Sequence, residues 1–249
     1  QSAIYGAQAA NGIIVVTTKS GGKKGSQSGI NFSMQEGVVQ PVNLYDVMNA
    51  QQHATIMAEQ EINVGDDPAA PGGAHEYFGN PSDPSTFEDY DWVNAMFQNA
   101  RFRTVDLSMT GGTDKTSFFF GGSYNFQEGQ IIKSDFERFT GRVNVSHRPT
   151  EKLSINAKIN VAHIRQFGTI ANGNFVNGPF VAAFEAMPSS PAIDPETGEY
   201  NEYPLNGLSH LFGYNILQGV NEEVRLGRTL QTVSSVSGNY QILPSLSLA

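Results

Sequence analysis

Several absences in the sequence exclude common classes of protein. Cysteine is absent, so a disulfide framework and a thiolate metal site are both excluded. The longest aliphatic run covers only residues 13–16, far short of the roughly 20 apolar residues that a membrane-spanning helix needs. Charged residues make up only 16% of the chain, and the net charge of −9 argues against a nucleic-acid partner. What remains is rich in glycine and aromatic residues, with 26 Gly, 16 Phe and 9 Tyr.

Residue patterns that carry chemistry are also missing. The five histidines show no HExxH spacing or paired ligands, and His147 and His163 fall at the ends of strand patterns, where a membrane interface is the ordinary explanation. The segment 25–29 has the outline of a nucleophile elbow, but Gln27 stands where the elbow needs serine. We therefore predict that the protein is not an enzyme and has no catalytic, cofactor-binding or metal site.

Alternation of apolar and polar residues is the strongest positive signal. Strict period-two alternation is typical of β-strands, and several of these segments reach about ten residues, the length of a transmembrane strand. Their polar positions carry Asn, Ser, Thr, Lys and Arg, as expected around a wet lumen. A soluble sandwich would alternate equally well. The predicted strands cover 30–35, 104–110, 117–126, 138–145, 153–161 and 230–240, with a further strand pattern at 245–249.

The lengths of the connections favour a barrel over a sandwich. Short links alternate with longer ones along the chain, as in outer-membrane barrels with short turns on one side and long loops on the other. The short links are 111–115, 149–151 and 243–244; the longer ones are 41–101, 127–136 and 166–225.

The two long loops carry nearly all of the unbalanced negative charge. Residues 25–100 and 166–224 contain no Lys or Arg, whereas 101–165 holds ten of the fifteen cations. We interpret the acidic loops mainly as solvated surface, with a cation or carbohydrate site as the minority hypothesis. Asn43 is predicted to cap a short helix that runs through Ile62, a second short helix is predicted around Trp92, and 194–198 is predicted to form a tight turn.

Four segments carry a resemblance to a known family. Residues 3–19 (AIYGAQAANGIIVVTTK) resemble the end of the plug domain in TonB-dependent outer-membrane receptors, and in particular the SusC/RagA subfamily. Residues 90–92 (YDW) and 109–116 (MTGGTDKT) resemble the second barrel hairpin of that family, as does the segment 125–138. These landmarks span about 1–165, and the remainder fits by strand pattern alone.

The resemblance implies an all-β fold: part of a transmembrane antiparallel β-barrel of 22 strands, preceded by a plug domain. Residues 1–24 would be the C-terminal end of the plug and its linker. Residues 25–249 would form about seven strands from the N-terminal part of the barrel, with short helices in the long extracellular loops. On this basis we expect the chain to be a piece of a longer protein.

The same resemblance implies active import across the outer membrane of a Gram-negative cell, with loops at the cell surface. The expected partners are a SusD-like lipoprotein lid, an oligosaccharide or peptide substrate, outer-membrane lipid, and TonB through a segment absent from this chain. Substrate-binding residues stay unknown at this stage. Trp92, Tyr77, Tyr200 and Tyr203 could stack on sugar rings, but local loop packing is the more ordinary role.

Two other classes of function stay open. A non-energised porin or adhesion barrel would share the strand pattern but has no reason to carry the plug-like segment 1–19. A soluble β-sandwich that binds glycans would share the alternation, although not the strand lengths or the alternation of loop lengths.

Overall fold

The computed structural model describes residues 28–42, 45–168, 178–201, 215–222, 225–243 and 246–248. The predicted plug segment 1–24 lies outside them. Seven strands form one antiparallel sheet in which spatial order follows sequence order from β1 to β7. The strands are β1 Gly29–Val39, β2 Ala100–Gly112, β3 Thr116–Glu128, β4 Asp135–His147, β5 Leu153–Phe167, β6 Leu226–Leu243 and β7 Leu246–Leu248.

Each strand predicted from alternation is present, and β1 to β6 are longer than predicted; of the pattern at 245–249 the structure describes the three residues of β7. The segment predicted at 138–145, for example, belongs to the 13 residues of β4. Alternation ends where charged residues replace apolar ones, whereas the backbone ladder continues through them: Glu137 still pairs with Arg165, and Asp135 with Phe167. The pattern of side chains therefore underestimates a strand that is held by backbone hydrogen bonds.

The described residues form one sheet and not two packed sheets. A sandwich needs a second sheet to cover the apolar face of the first. The sandwich alternative is therefore wrong for this part of the chain. Within the described residues β1 and β7 are the edge strands, so closure into a barrel and a total of 22 strands stay predictions.

The connections alternate as predicted. Short turns join β2 to β3 at 113–115 and β4 to β5 at 148–152. The other connections, 40–99, 129–134 and 168–225, leave from the opposite end of the sheet, because consecutive antiparallel strands turn at alternate ends. The link at 244–245 lies outside the described residues.

The long connections contain short helices, and one boundary differs from the prediction. The first helix begins at Ala50, and its cap is Asn49 rather than the predicted Asn43, which lies outside the described residues. Asn49 and Gln52 form a reciprocal capping box with N···O distances of 2.9 and 3.0 Å. The helices are α1 Ala50–Val64, α2 Ala74–Phe78, α3 Trp92–Met96, α4 Pro179–Glu185 and α5 Ile216–Glu222.

No helix among the described residues is long and apolar enough to cross a membrane.

The capping box predicts a measurable effect on α1. Asn49→Ala should destabilise the helix by about 1 kcal/mol, because the amide nitrogen of Gln52 loses its acceptor. Hydrogen exchange across α1 should accelerate by about fivefold. Gln60→Ala, an exposed mid-helix change, is the control and should shift exchange little. Equal acceleration in both variants would contradict the role of Asn49.

Candidate functional site

One side of the sheet, the apolar face, is a continuous hydrophobic surface. Directly opposite residues of antiparallel strands share a face, so the register groups the alternating positions of six strands. Phe32 pairs with Leu107, for example, and both are more than half exposed. Members of the apolar face are Ile30, Phe32, Met34, Val105, Leu107, Met109, Phe118, Phe120, Phe139, Val143, Ile155, Ile159, Val161 and Leu230.

The apolar face ends in a charged row near the long connections. The row crosses six strands in one register and contains Glu36, Arg103, Phe126, Glu137, Arg165 and Arg228. Two ion pairs lie within it: Arg103 Nη2 is 2.6 Å from Glu36 Oε1, and Arg165 Nη1 is 2.9 Å from Glu137 Oε2. Such a boundary is typical of a surface that passes from an apolar to a wet environment.

The opposite side, the polar face, carries a different set of residues. Asn, Ser, Thr and Gln dominate it, and Ser146 donates a hydrogen bond to Asn156 across β4 and β5. Its charged members among the described strands are Arg138, Arg142, Lys158 and Asp106. A sheet with one apolar and one polar face, both extending across six strands, can separate lipid from a wet lumen.

Of the two histidines predicted at strand ends, His147 lies where predicted and His163 does not. His147 does end β4, where its Nδ1 is 2.8 Å from Thr116 Oγ1. His163 lies inside β5, opposite Phe139 on the apolar face, because β5 continues to Phe167.

The longer connections fold together into a cap at the charged end of the sheet. We define the cap as the described residues 45–99, 129–134, 178–201 and 215–222. Trp92 lies at its centre with only 4% of its surface exposed. Its Nε1 donates to the carbonyl oxygens of Met187 and Ser190, both at 3.1 Å. The main apolar cluster joins the first and third of these connections through Trp92, Met96, Ala183, Ala192, Ile216, Leu217 and Val220.

Asn215 is a structural residue that the sequence analysis missed. Its side chain is fully buried, and its Nδ2 donates to the carbonyl oxygens of Ala192 and Asn201. Its Oδ1 accepts from the backbone nitrogens of Leu217 and Gln218 at the start of α5. The available signal in the sequence was an asparagine just before an apolar segment, which is typical of a helix cap. The hydrogen bonds of Asn215 to Ala192 and Asn201 form only in the folded cap.

Several carboxylates in the cap accept hydrogen bonds from backbone N–H groups. Asp89 accepts from Ala50 at the start of α1, and Glu61 accepts from Ala74 at the start of α2, at 2.9 and 2.8 Å. Asp91 caps α3 by accepting from Asn94 at 2.8 Å. Asp194 accepts from Glu196 and Thr197 in the predicted tight turn, which Gly198 closes with φ = +74°. Part of the acidity therefore holds the loops together.

A second cluster in the cap contains a histidine in an unfavourable environment for charge. His53 packs edge-on against Phe78, with ring centroids 5.3 Å apart, beside the cluster of Ala54, Ala74 and Phe78. Its Nδ1 is enclosed and has no hydrogen-bond partner among the described residues. Burial lowers the pKa of His53 below its ordinary value, since the interior disfavours the charged form.

This histidine makes the stability of the cap depend on pH. Because the pKa is lower in the folded cap, the unfolded cap binds the proton more tightly, and stability should fall as the pH drops below about 6.5. The protection factors of the amides in α1 and α2, obtained from hydrogen exchange at pH 8 and pH 5, measure this stability. In His53→Phe the pH dependence of these protection factors should diminish. Wild-type protection factors that are equal at pH 8 and pH 5 would contradict the lowered pKa of His53.

The three described aromatic residues among the predicted sugar-stacking candidates pack in two different clusters. Trp92 lies inside the main cluster, Tyr200 packs against that cluster, and Tyr77 packs against the second cluster. Tyr203 lies outside the described residues. The packing interpretation therefore holds for Trp92, and the role of the others in binding stays a prediction. No group of three or more possible metal ligands occurs in the described part of the chain.

Comparison with known proteins identifies relatives over most of the chain. A TonB-dependent receptor, P26 of Formosa agariphila, is 31% identical over 204 residues, which cover 81% of this chain and 19% of the relative. The TonB-dependent receptor SusC of Bacteroides thetaiotaomicron is 26% identical over 211 residues, covering 82% of this chain and 18% of that receptor. No protein-family model matches. The chain spans about a fifth of the length of these curated relatives.

Solved structures share the fold. The RagAB peptide importer in its "closed-closed" state superposes with a TM-score of 0.74 at 19% identity, covering 98% of this chain and 29% of that chain. The RagAB peptide transporter gives a TM-score of 0.72 at 20% identity. The shared fold is thus an antiparallel β-sheet with short helices in its long connections. Over about four fifths of its length, this chain is related to TonB-dependent receptors of the SusC/RagA type, which confirms the resemblance seen in the sequence.

Proposed function

We propose that this chain forms part of the wall and the outer loops of an outer-membrane transporter. The observation that carries the proposal is the sheet with two different faces, whose apolar side ends in a charged row beneath a folded cap. The apolar face would contact lipid, the polar face would line the lumen, and the cap would lie at the cell surface.

The strand lengths support a membrane-spanning wall. The strands β2, β3 and β4 have 13 residues each. At about 3.3 Å per residue and a tilt of about 40°, 13 residues span about 33 Å, close to the roughly 30 Å of a bilayer core.

Within the described residues the wall is an open sheet. Its edge strands within the described residues, β1 and β7, would expose unpaired backbone groups in lipid, which only barrel closure avoids. We therefore propose that 25–249 forms the N-terminal part of a larger barrel and that 1–24 ends a plug domain inside it.

The proposed activity is import of oligosaccharides or peptides, energised by TonB and assisted by a SusD-like surface lipoprotein. Its support is the relationship to TonB-dependent receptors and the fold shared with a peptide importer. The chain itself would supply a wall and a gate, with no bond chemistry. Selectivity would come from side chains of the cap and the polar face.

Orientation can be tested directly because this chain contributes no cysteine. In the full-length receptor, Ser82→Cys places one thiol in the cap and Lys115→Cys places one in a short turn. On intact cells, a membrane-impermeant maleimide should label the cysteine at position 82 and not the one at position 115. After lysis it should label both. Labelling of both, or of Lys115→Cys alone, on intact cells would refute the orientation.

Uptake distinguishes the energised transporter from a porin. Cells that express the full-length receptor should accumulate labelled oligosaccharide or peptide, and a proton uncoupler should stop this accumulation. A porin would continue to equilibrate the same solute, so uptake that is insensitive to the uncoupler would favour the non-energised alternative.

A further inference from the structure

An open cleft lies on the cap between two of the long connections. Its volume is about 300 Å³, at the lower end of the range for ligand pockets and sufficient for one sugar ring or one side chain. The segment 76–88 forms one wall, and Ser189 and Pro191 from the β5–β6 connection form the other. The side chains that matter here are Glu76, Tyr77, Thr86, Phe87, Glu88 and Ser189.

The first wall is held in place before any ligand arrives. Thr86 Oγ1 accepts from the backbone nitrogen of Asn80 and donates to the carbonyl oxygen of Asp83, both at 2.7 Å. Gly79 adopts φ = +85°, and a Cβ there would lie 2.5 Å from a ring carbon of Phe87. The glycine therefore lets the Phe87 ring lie directly against the backbone at the end of α2.

The second wall is fixed by hydrogen bonds from the centre of the cap. Trp92 Nε1 donates to the carbonyl oxygens of Met187 and Ser190, which flank Ser189. Tyr90 donates its backbone N–H to the carbonyl oxygen of Pro188 at 2.8 Å. Ser189 Oγ itself is enclosed and has no partner among the described residues. Two rigid walls reduce the ordering cost of binding.

The described lining of the cleft carries negative charge from Glu76 and Glu88. Glu76 uses Oε2 to accept the backbone N–H of Gly72 at 2.7 Å, and Glu88 makes no hydrogen bond or ion pair to any described residue. Neither connection can supply a cation nearby in sequence, because 25–100 and 166–224 contain no Lys or Arg. A positively charged ligand group would meet two carboxylates, and the described residues that line the cleft include no Lys or Arg.

We propose that the cleft binds a primary ammonium group carried by a sugar or by a peptide. The ammonium group would donate to Glu88 and Glu76, and the rings of Tyr77 and Phe87 would contribute cation–π attraction and apolar contact. This inference rests on the proposed function for its biological meaning, since it names the charge class of the imported substrate.

Matched probe pairs test the proposal in the full-length receptor purified in detergent. Isothermal calorimetry compares the glucosamine trisaccharide with its N-acetylated form, and trilysine with its fully N-acetylated form. The amine member of at least one pair should bind at least tenfold more tightly than its neutral partner. A sugar-only or peptide-only preference identifies the source of the amine, and a preference in both pairs indicates that the ammonium group alone is recognised.

Two variants tie that preference to the cleft. Glu88→Gln should lose at least tenfold of the amine preference, whereas Glu59→Gln, an exposed carboxylate on α1 outside the cleft, should retain it. Equal affinity of amine and acetylated forms in both pairs, or a full preference in Glu88→Gln, would overturn the proposal. Binding and uptake are measured separately: amine binding without energised uptake would refute the transporter function alone, and energised uptake without amine preference would refute the cleft alone.

Discussion

Trp92→Ala should open the cap while the strands stay paired. The side chain is 4% exposed, sits in the cluster that joins two connections, and donates to two backbone carbonyls. Removing a buried tryptophan costs about 3–5 kcal/mol. The helices α3, α4 and α5 cannot make up this loss by themselves, because they have five to seven residues and isolated helices below about 12 residues are marginal. We expect hydrogen exchange to accelerate by at least a hundredfold in α3, α4 and α5 and to change little in β2 to β5.

Trp92→Phe separates packing from hydrogen bonding. The phenyl ring keeps most of the apolar contact but removes the indole donor: the carbonyl oxygen of Ser190 loses the donor that Trp92 supplies, and that of Met187 keeps only the backbone N–H of Ser190. We expect a smaller destabilisation, about 1–3 kcal/mol. Unchanged protection of α4 and α5 in Trp92→Ala would show that the cap does not depend on this cluster. Equal loss in β3 and β4 would show that cap and sheet unfold as one unit.

The strands could be predicted because their signal is local. In β3 and β5, each residue lies above or below the sheet according to its position in the chain, so the alternation of Phe118, Phe120 and Tyr124 reports the face directly. The alternation fails at Glu137 and Arg165, where the environment of the face changes, and there the predicted strands ended too early.

The cap was harder to predict because its helices depend on distant partners. The helices α4 and α5 have seven residues each, too few for a periodic pattern, and they are stabilised against Trp92 and Met96 from another connection. Helix α1 does carry a local signal at Asn49 and Gln52, but the polar residue Asn43 before an apolar run competed with it. The cleft combines 76–88 with 189–191 and has no signature in either segment alone.

Leu107→Arg and Ser108→Arg should have opposite consequences although they are neighbours on β2. Leu107 belongs to the apolar face, between Phe32 and Gly122, and Ser108 belongs to the polar face. An arginine on the lipid side of a membrane strand costs about 2–4 kcal/mol near the middle of the bilayer, whereas lumen positions tolerate charge. We expect Leu107→Arg to lower the folded fraction of the full-length receptor in lipid vesicles and Ser108→Arg to leave it nearly unchanged.

This pair also decides what covers the apolar face. If the face were solvated or covered by flexible polar segments, arginine at position 107 would be tolerated as well as at 108, and the proposed lipid contact would be wrong. If protein covered the face instead of lipid, Leu107→Arg would remain harmful but its effect would not depend on bilayer thickness. In lipid, thinner bilayers should reduce the penalty, because a long arginine side chain reaches the aqueous interface more easily when the apolar core is thinner.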